Sequence, residues 1–424
     1  MVSKYYPRMG ETLYTHTLDN GLAIQMIPKK GFQKSYAMFA TNYGGADRRF
    51  RYQGEWLNTP AGVAHFLEHK MFDMPDGSNA LSVLSANGAS PNAFTSSAMT
   101  AYYFECTEGF QENLKMLLEF VSTPYFTEES VAKEQGIIGQ EIRMCEDSPD
   151  YALYYNLLKC LYARNPVRDS VAGTVESIRE ITPDVLYACH KVFYHPSNMR
   201  LCCVGDVEPE AVCALAEQVL PKGKGEVPAR DYGSAEPGKP ASFRHKAAME
   251  VSNTQFLFGA KLTPAKPGPD RLRQVLTGDL ALRYLMGESS PLYTSLYAKN
   301  LIHTDFSAEL DYAAGAAMLI AGGEGRDPHS VLAAVEEALS ELRRDMDTEA
   351  FQRIRRTTLG YCIRSMDRLG GLCTSLAEAG FAGYCPLDAP EMLENITPEE
   401  VRQALLDWLQ PERIALSVIE PLRP

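Results

Sequence analysis

Two histidines and a glutamate in AGVAHFLEHKMF (Ala61 to Phe72) have the types and the spacing to do hydrolytic chemistry. On a helix, His65 and His69 stand one turn apart on one face. Two imidazoles so placed can share a tetrahedral zinc ion. Glu68 lies between them on nearly the same side, close to the open coordination position where a water would sit. Zinc lowers the pKa of such a water toward ~7, and a carboxylate beside it can take the proton. The same string also suits a helix that merely turns two histidines toward a half-buried face.

A catalytic zinc takes a third protein ligand and keeps its fourth position open. The candidate is Glu141, in the helical stretch Glu134 to Met144. Glu134 precedes it by two helical turns and so faces the same way. From there it could hydrogen-bond a ligating imidazole and fix the ring. Glu146 and Asp147, just beyond, read as a solvated helix end, and His190 and His195 read as structural. Cys145 has no partner signal and reads as a buried thiol.

SANGASPNAFTSSAMTAYYFEC (Ser85 to Cys106) carries a turn signal at Asn87-Gly88 and a proline, Pro91, within a strand-like run. Proline in a strand implies a sheet edge. An exposed edge can add an extended peptide as a further strand, or it can be an ordinary edge with a loop. Spacing does not separate these two readings.

The elements that position these residues follow from hydrophobic period and punctuation. Asn20-Gly21 marks a hairpin, and Tyr36 to Thr41 alternates as a strand. Gly62 to Phe72, Phe110 to Ser122 and Thr127 to Cys145 carry helical spacing. Pro221, Pro228, Pro237 and Pro240, interleaved with Gly223, Gly225, Gly233 and Gly238, break any regular element. They predict a division into residues 1–220, a linker at 221–243, and residues 244–424.

The two halves are related. ITPDVLYACHKVFYHPSNMRLCCVGDV, from Ile181, aligns without a gap with ITPEEVRQALLDWLQPERIALSVIEPL, from Ile396. Each reads as a Thr-capped helix with proline in its first turn, a break at a second proline, and an apolar strand. TEESVAKEQGIIGQEIR, from Thr127, aligns with TEAFQRIRRTTLGYCIR, from Thr348. Two matches in the same order point to a duplicated unit. Helices and antiparallel strands in blocks predict an α+β class for both halves.

Composition narrows the function. The chain has 424 residues, 45% hydrophobic and 22% charged, as in a globular protein. A net charge of −13 argues against nucleic-acid binding as its main business. The longest apolar stretch, near Ala313 to Ala321, is too short for a membrane span. The opening residues MVSKYYPRMGETLYTH hold no apolar signal region, and the ten cysteines form no C-x-x-C pair. Together these predict a cytoplasmic protein with mostly buried thiols.

The segments HFLEH (65–69), GASPNAFTSSAMTAYYFEC (88–106), EQGIIGQEIRMCEDSPD (134–150), GTVESI (173–178) and FYHPSNMRLCCVGDV (193–207) resemble the M16, or insulinase/pitrilysin-like, peptidase family. Within it they are most similar to the zinc-bearing type of the paired proteins of Gram-positive bacteria. The resemblance spans essentially the whole chain. It implies two homologous α/β-roll halves of mixed or antiparallel sheet packed with helices, facing each other across a chamber that limits substrate size. It implies zinc on His65, His69 and Glu141, with Glu68 as general base and Glu134 in support. It implies that Asn92, Ala93 and Phe94 pair with a bound peptide, and that the substrates are peptides or small unfolded proteins.

One departure bears on assembly. Self-sufficient relatives complete the site from the second half with a Ser-Ser-Arg-Leu pattern followed by a tyrosine. Here the stretch reads SSPLYTSLYAKNLIHTDF (Ser289 to Phe306), with Pro291 at the arginine and His303 and Asp305 near the tyrosine. Within the repeat, Glu141 falls on Cys362 and Glu134 on Arg355, so the second half has no metal site. The expectation is a heterodimer in which a paralogous chain supplies the Arg/Tyr pair. The alternatives are a homodimeric peptidase and a non-catalytic scaffold of the same fold.

Overall fold

Local chemistry sets the element ends. Thr182 and Thr397 both cap helices, accepting hydrogen bonds from the Val185 and Glu400 N–H groups, with Pro183 and Pro398 at the first position. The helices Pro183–Phe193 and Pro398–Trp408 each run into a short 3₁₀ turn opened by Pro196 or Pro411, and then into a strand. The repeat read from sequence is therefore a repeat of structure.

The computed structural model describes residues 1–422. Its strands in chain order are β1 (Val2–Tyr6), β2 (Glu11–Thr17), β3 (Ala23–Pro28), β4 (Ser35–Thr41), β5 (Arg49–Tyr52), β6 (Glu55–Asn58), β7 (Ala89–Thr95), β8 (Thr100–Cys106), β9 (Met199–Gly205), β10 (Arg244–Met249), β11 (Gln255–Leu262), β12 (Ser307–Ala313), β13 (Ala316–Glu324) and β14 (Ile414–Pro421). They form sheets in the orders β1-β2-β3-β9-β4-β8-β7 and β10-β14-β11-β13-β12, with β5-β6 a separate hairpin. Pairing is antiparallel except for β3 with β9 and β10 with β14. Asn20 and Gly21 make the turn between β2 and β3, with Gly21 at φ 93, a conformation that side chains other than glycine resist. Pro91 lies in β7, the outermost strand of the larger sheet, where a missing N–H costs no ladder bond.

Compactness in space follows segments from both sequence halves. One unit gathers Met1–Ile142, Ser170–Tyr232 and Ile363–Leu387; the other gathers Arg143–Asp169, Gly233–Cys362 and the residues from Asp388. The reason is that each sheet has two faces to cover. In the first unit, Ile24, Met26, Ala37, Phe39, Leu201 and Cys203 share one core with Phe66, Leu117, Leu118, Leu186 and Phe193 from the helices of the first half. Tyr36, Met38 and Cys202 alternate with these and point to the other face. The helix Leu369–Phe381 covers that face, packing on β4 and β9 with the Cys373 thiol at 3.5 Å from the Cys202 carbonyl. In the second unit, the helix Pro149–Leu161 does the same service: Leu157, Leu158 and Leu161 pack with Met318, Ile320 and Ala415.

The stretch Pro221 to Ser242 has no regular element, yet it is tied down along its length. Arg230 Nε meets Asp47 at 2.9 Å and Tyr232 donates to the same carboxylate at 2.8 Å, within the first unit. In the second unit, Glu236 accepts from the backbone N–H groups of Ala163, Arg164 and Asn165 at 3.0, 2.6 and 2.6 Å. Three successive amides around one carboxylate form an anion-binding nest. Cys106, Cys160, Cys189, Cys202, Cys203, Cys213 and Cys373 are buried thiols. Cys145 is only partly buried, unlike the reading from sequence, because its helix continues to an exposed end at Glu146 and Asp147. No helix among the described residues is long and apolar enough to cross a membrane.

Candidate metal centre

The motif helix Val63–Lys70 packs Val63, Ala64, Phe66 and Leu67 into the core of the first unit, and this turns His65 and His69 together to the opposite side. Their rings lie 4.6 Å apart between centroids. The acidic helix Glu128–Glu146 buries Val131, Ile138 and Ile142, which leaves Glu134 and Glu141 facing the motif helix. Glu141 Oε1 stands 3.5 Å from His65 Nε2, and Glu141 Oε2 stands 3.6 Å from His69 Nε2. Neighbouring ligands of a tetrahedral ion with bonds of 2.0–2.1 Å stand roughly 3.4 Å apart. Both Glu141–histidine separations are near that spacing, and one donor atom from each of the three residues lies within 4.8 Å of the others, close enough to share an ion. Among the described residues, His65, His69 and Glu141 are the one set of His, Cys, Asp or Glu side chains close enough to share an ion.

The supporting contacts are asymmetric. His69 Nδ1 meets Glu134 Oε1 at 3.1 Å, whereas His65 Nδ1 is buried and has no hydrogen-bond partner among the described residues. Burial alone would lower the His69 pKa, but the Glu134 hydrogen bond and the charges of Glu68 and Glu141 outweigh it and raise it. Glu141 is held below the ordinary carboxylate range by its contact with His65 and by the charge of both imidazoles, against partial burial. An anionic glutamate facing two ring nitrogens is the state a cation needs.

Glu68 is buried, and Thr95 donates to its Oε2 at 2.7 Å. Thr100 in turn hydrogen-bonds both Thr95, at 3.3 Å, and the Tyr43 carbonyl, at 2.9 Å. Thr95 ends β7, so the sheet-edge strand and the glutamate are joined by one hydroxyl. Sequence reasoning did not single out Thr95, although it lies inside the segment NAFT; a polar residue closing an edge strand is the signal that was there. It also passed over Lys70, a lysine set among apolar residues of a helix and only 1% exposed. Asn92, Ala93 and Phe94 lie on β7 opposite Tyr103, Tyr102 and Ala101 of β8, and among the described residues the other side of β7 has no sheet partner. Asn92 Oδ1 accepts from the Ala93 N–H at 2.8 Å, so the chain's own side chain engages that amide.

Other candidates serve the fold. Pro291 opens the helix Pro291–Ala298, which Ser290 caps through the Tyr293 N–H. His303 faces Glu324 at 3.4 Å, and Asp305 accepts from the Glu324 N–H at 2.7 Å. Where the repeat would put a ligand, Cys362 lies within electrostatic reach of the Asp279–Arg283 ion pair, whose atoms are 2.6 Å apart. Arg355, the counterpart of Glu134, donates to the Glu394 carbonyl at 3.0 Å. His195 caps a turn through Ser197.

His190 is buried, and its Nε2 donates to the Val121 carbonyl at 3.0 Å. Burial pulls its pKa down to about 4, against the opposing pull of that hydrogen bond. The unfolded chain binds a proton near the ordinary value of about 6.5, where the folded chain still does not. Stability should therefore fall as pH drops from about 6.5 to 4, by about 3 kcal/mol in total from this residue. His190→Gln, which keeps a donor for Val121, should flatten that part of the stability–pH curve measured by urea denaturation. An unchanged slope would assign it to other groups.

The family described as Insulinase (Peptidase family M16) matches residues 57–175, and the one described as Peptidase M16 inactive domain matches residues 180–358. YmfH, a zinc protease of Bacillus subtilis, is 37% identical over 98% of both chains. A second zinc protease of that organism, YmxG, is 24% identical over 69% of this chain and 73% of its own. A crystal structure of an M16-like peptidase from Alicyclobacillus acidocaldarius superposes with a TM-score of 0.92 at 33% identity, covering 97% of this chain and 99% of that one.

Proposed function

The chain belongs to the M16, insulinase-like, peptidase family, and from that premise we propose that it is the zinc-bearing subunit of an endopeptidase acting on peptides and small unfolded proteins. The observation that carries this reading is the meeting of His65, His69 and Glu141 closely enough to share one ion, with Glu68 on the same helix as the two histidines. Zinc on these three residues supplies Lewis acidity and a water of lowered pKa.

The chain's own residues do the rest. Glu68 takes the proton of the attacking water and returns it to the leaving amine, so one water and one peptide become one acid and one amine. Thr95 occupies one oxygen of that carboxylate, and the proton travels on the other. The outer side of β7, at Asn92, Ala93 and Phe94, receives the substrate backbone as an added strand. The Ala93 N–H must exchange its bond with Asn92 for one with the peptide.

The partner in this reading is a paralogous M16 chain that supplies the Arg/Tyr pair. Its support is that Pro291, His303 and Asp305 are engaged in helix initiation and local contacts of their own segment. That Bacillus subtilis holds two such proteases similar to this chain fits a paired system. The test is cleavage of a mixed library of unstructured peptides, read by mass spectrometry, with the chain alone and with its candidate paralog. Cleavage only in the mixture is the expected result. Full cleavage by the chain alone would replace the heterodimer with a homodimer, and no cleavage in either would favour a scaffold.

A further inference from the structure

A lysine ammonium is rarely buried unless it is paired, because taking the charge out of water costs several kcal/mol. Lys70 follows His69 directly, and its side chain is 1% exposed. Three acceptors surround it: the Asp73 carboxylate, the Ser130 carbonyl at 3.4 Å and Glu134 Oε2 at 4.0 Å. Ser130 and Glu134 both belong to the acidic helix that also carries Glu141. Lys70 itself belongs to the motif helix that carries His65, Glu68 and His69. One buried cation thus connects the two helices that hold the donor set.

The charges form a line. Lys70 faces Glu134 Oε2, the other oxygen of Glu134 meets His69 Nδ1, and His69 Nε2 faces Glu141. Among the described residues, His65 has no such support on its outer nitrogen. We propose that Lys70 is a positioning residue for the metal centre: it holds the Glu134 carboxylate in place, and through Glu134 fixes the ring of His69. This rests on the zinc reading above. A lysine that merely pinned the two helices together would stabilise the fold through Asp73 and Ser130 and would not act through Glu134.

A double-mutant cycle on zinc affinity separates the two roles. Zinc binding by the full chain is measured by competition with a chromogenic chelator for wild type, Lys70→Met, Glu134→Gln and the double variant, with thermal unfolding of each metal-free form alongside. Glu134→Gln should weaken zinc binding about 10–100-fold, as loss of an outer-shell partner does. Lys70→Met should weaken it about tenfold in wild type. In the Glu134→Gln background the same change should matter by less than about twofold, because the residue it acts through is already neutral. Asp73→Asn, which removes the other carboxylate, should leave zinc affinity unchanged. If Lys70→Met does not fold, Lys70→Gln runs the same cycle. Equal loss from Lys70→Met in both backgrounds, or no loss in wild type, overturns the inference while the metal reading stands. A wild-type chain that takes up no zinc overturns both.

Discussion

Glu68→Gln should abolish peptide hydrolysis while the zinc content stays at one ion per chain. A positioned general base contributes about 10²–10⁴ in rate, equivalent to about 3–5 kcal/mol of barrier. Glutamine keeps the shape of the side chain and an oxygen that can accept the Thr95 hydroxyl bond now made at 2.7 Å to the glutamate. What it lacks is the ability to take a proton. Because Glu68 is buried beneath the edge strand rather than placed among the three clustered donors, its charge is not needed to hold the ion. The check is kcat on a cleaved library peptide together with metal analysis of the same preparation. Retained hydrolysis would move the base elsewhere, and lost zinc would make Glu68 a ligand.

The parts of this centre that were readable in sequence are those set by helical period. His65 and His69 four apart, and Glu134 and Glu141 seven apart, share faces whatever the rest of the chain does. Pro91 marked the sheet edge because a missing N–H has one cheap place in a sheet. The repeat at Ile181 and Ile396 was readable because cap, proline and strand recur in register. The exchange of helices was not readable. The apolar faces of Pro149–Leu161 and Leu369–Phe381 say that something covers them, but periodicity carries no address for the sheet that does. Lys70 and Thr95 escaped for a related reason: each acts through one contact distant in sequence, Lys70 with Glu134 and Thr95 with Glu68, and neither contact leaves a periodic trace.

Glu141→Gln should cost more zinc affinity than any outer-shell change, beyond the ~10–100-fold expected for Glu134→Gln. Glu141 is the one anionic member of the donor set, and it faces both ring nitrogens at once. An amide in its place offers a neutral oxygen, so the ion loses both a strong bond and the charge that offsets its own. The fold should not suffer. Glu141 is on the partly exposed face of its helix, and the side chains that seat that helix are Val131, Ile138 and Ile142. Metal-free wild type and variant should therefore unfold at the same urea midpoint while their zinc affinities differ. Glu141→Asp adds the decisive comparison, since it keeps the charge but shortens the reach by one methylene. Affinity falling in the order glutamate, aspartate, glutamine assigns the effect to charge first and distance second. Zinc bound as tightly by Glu141→Gln as by wild type would mean that Glu141 is not the third ligand.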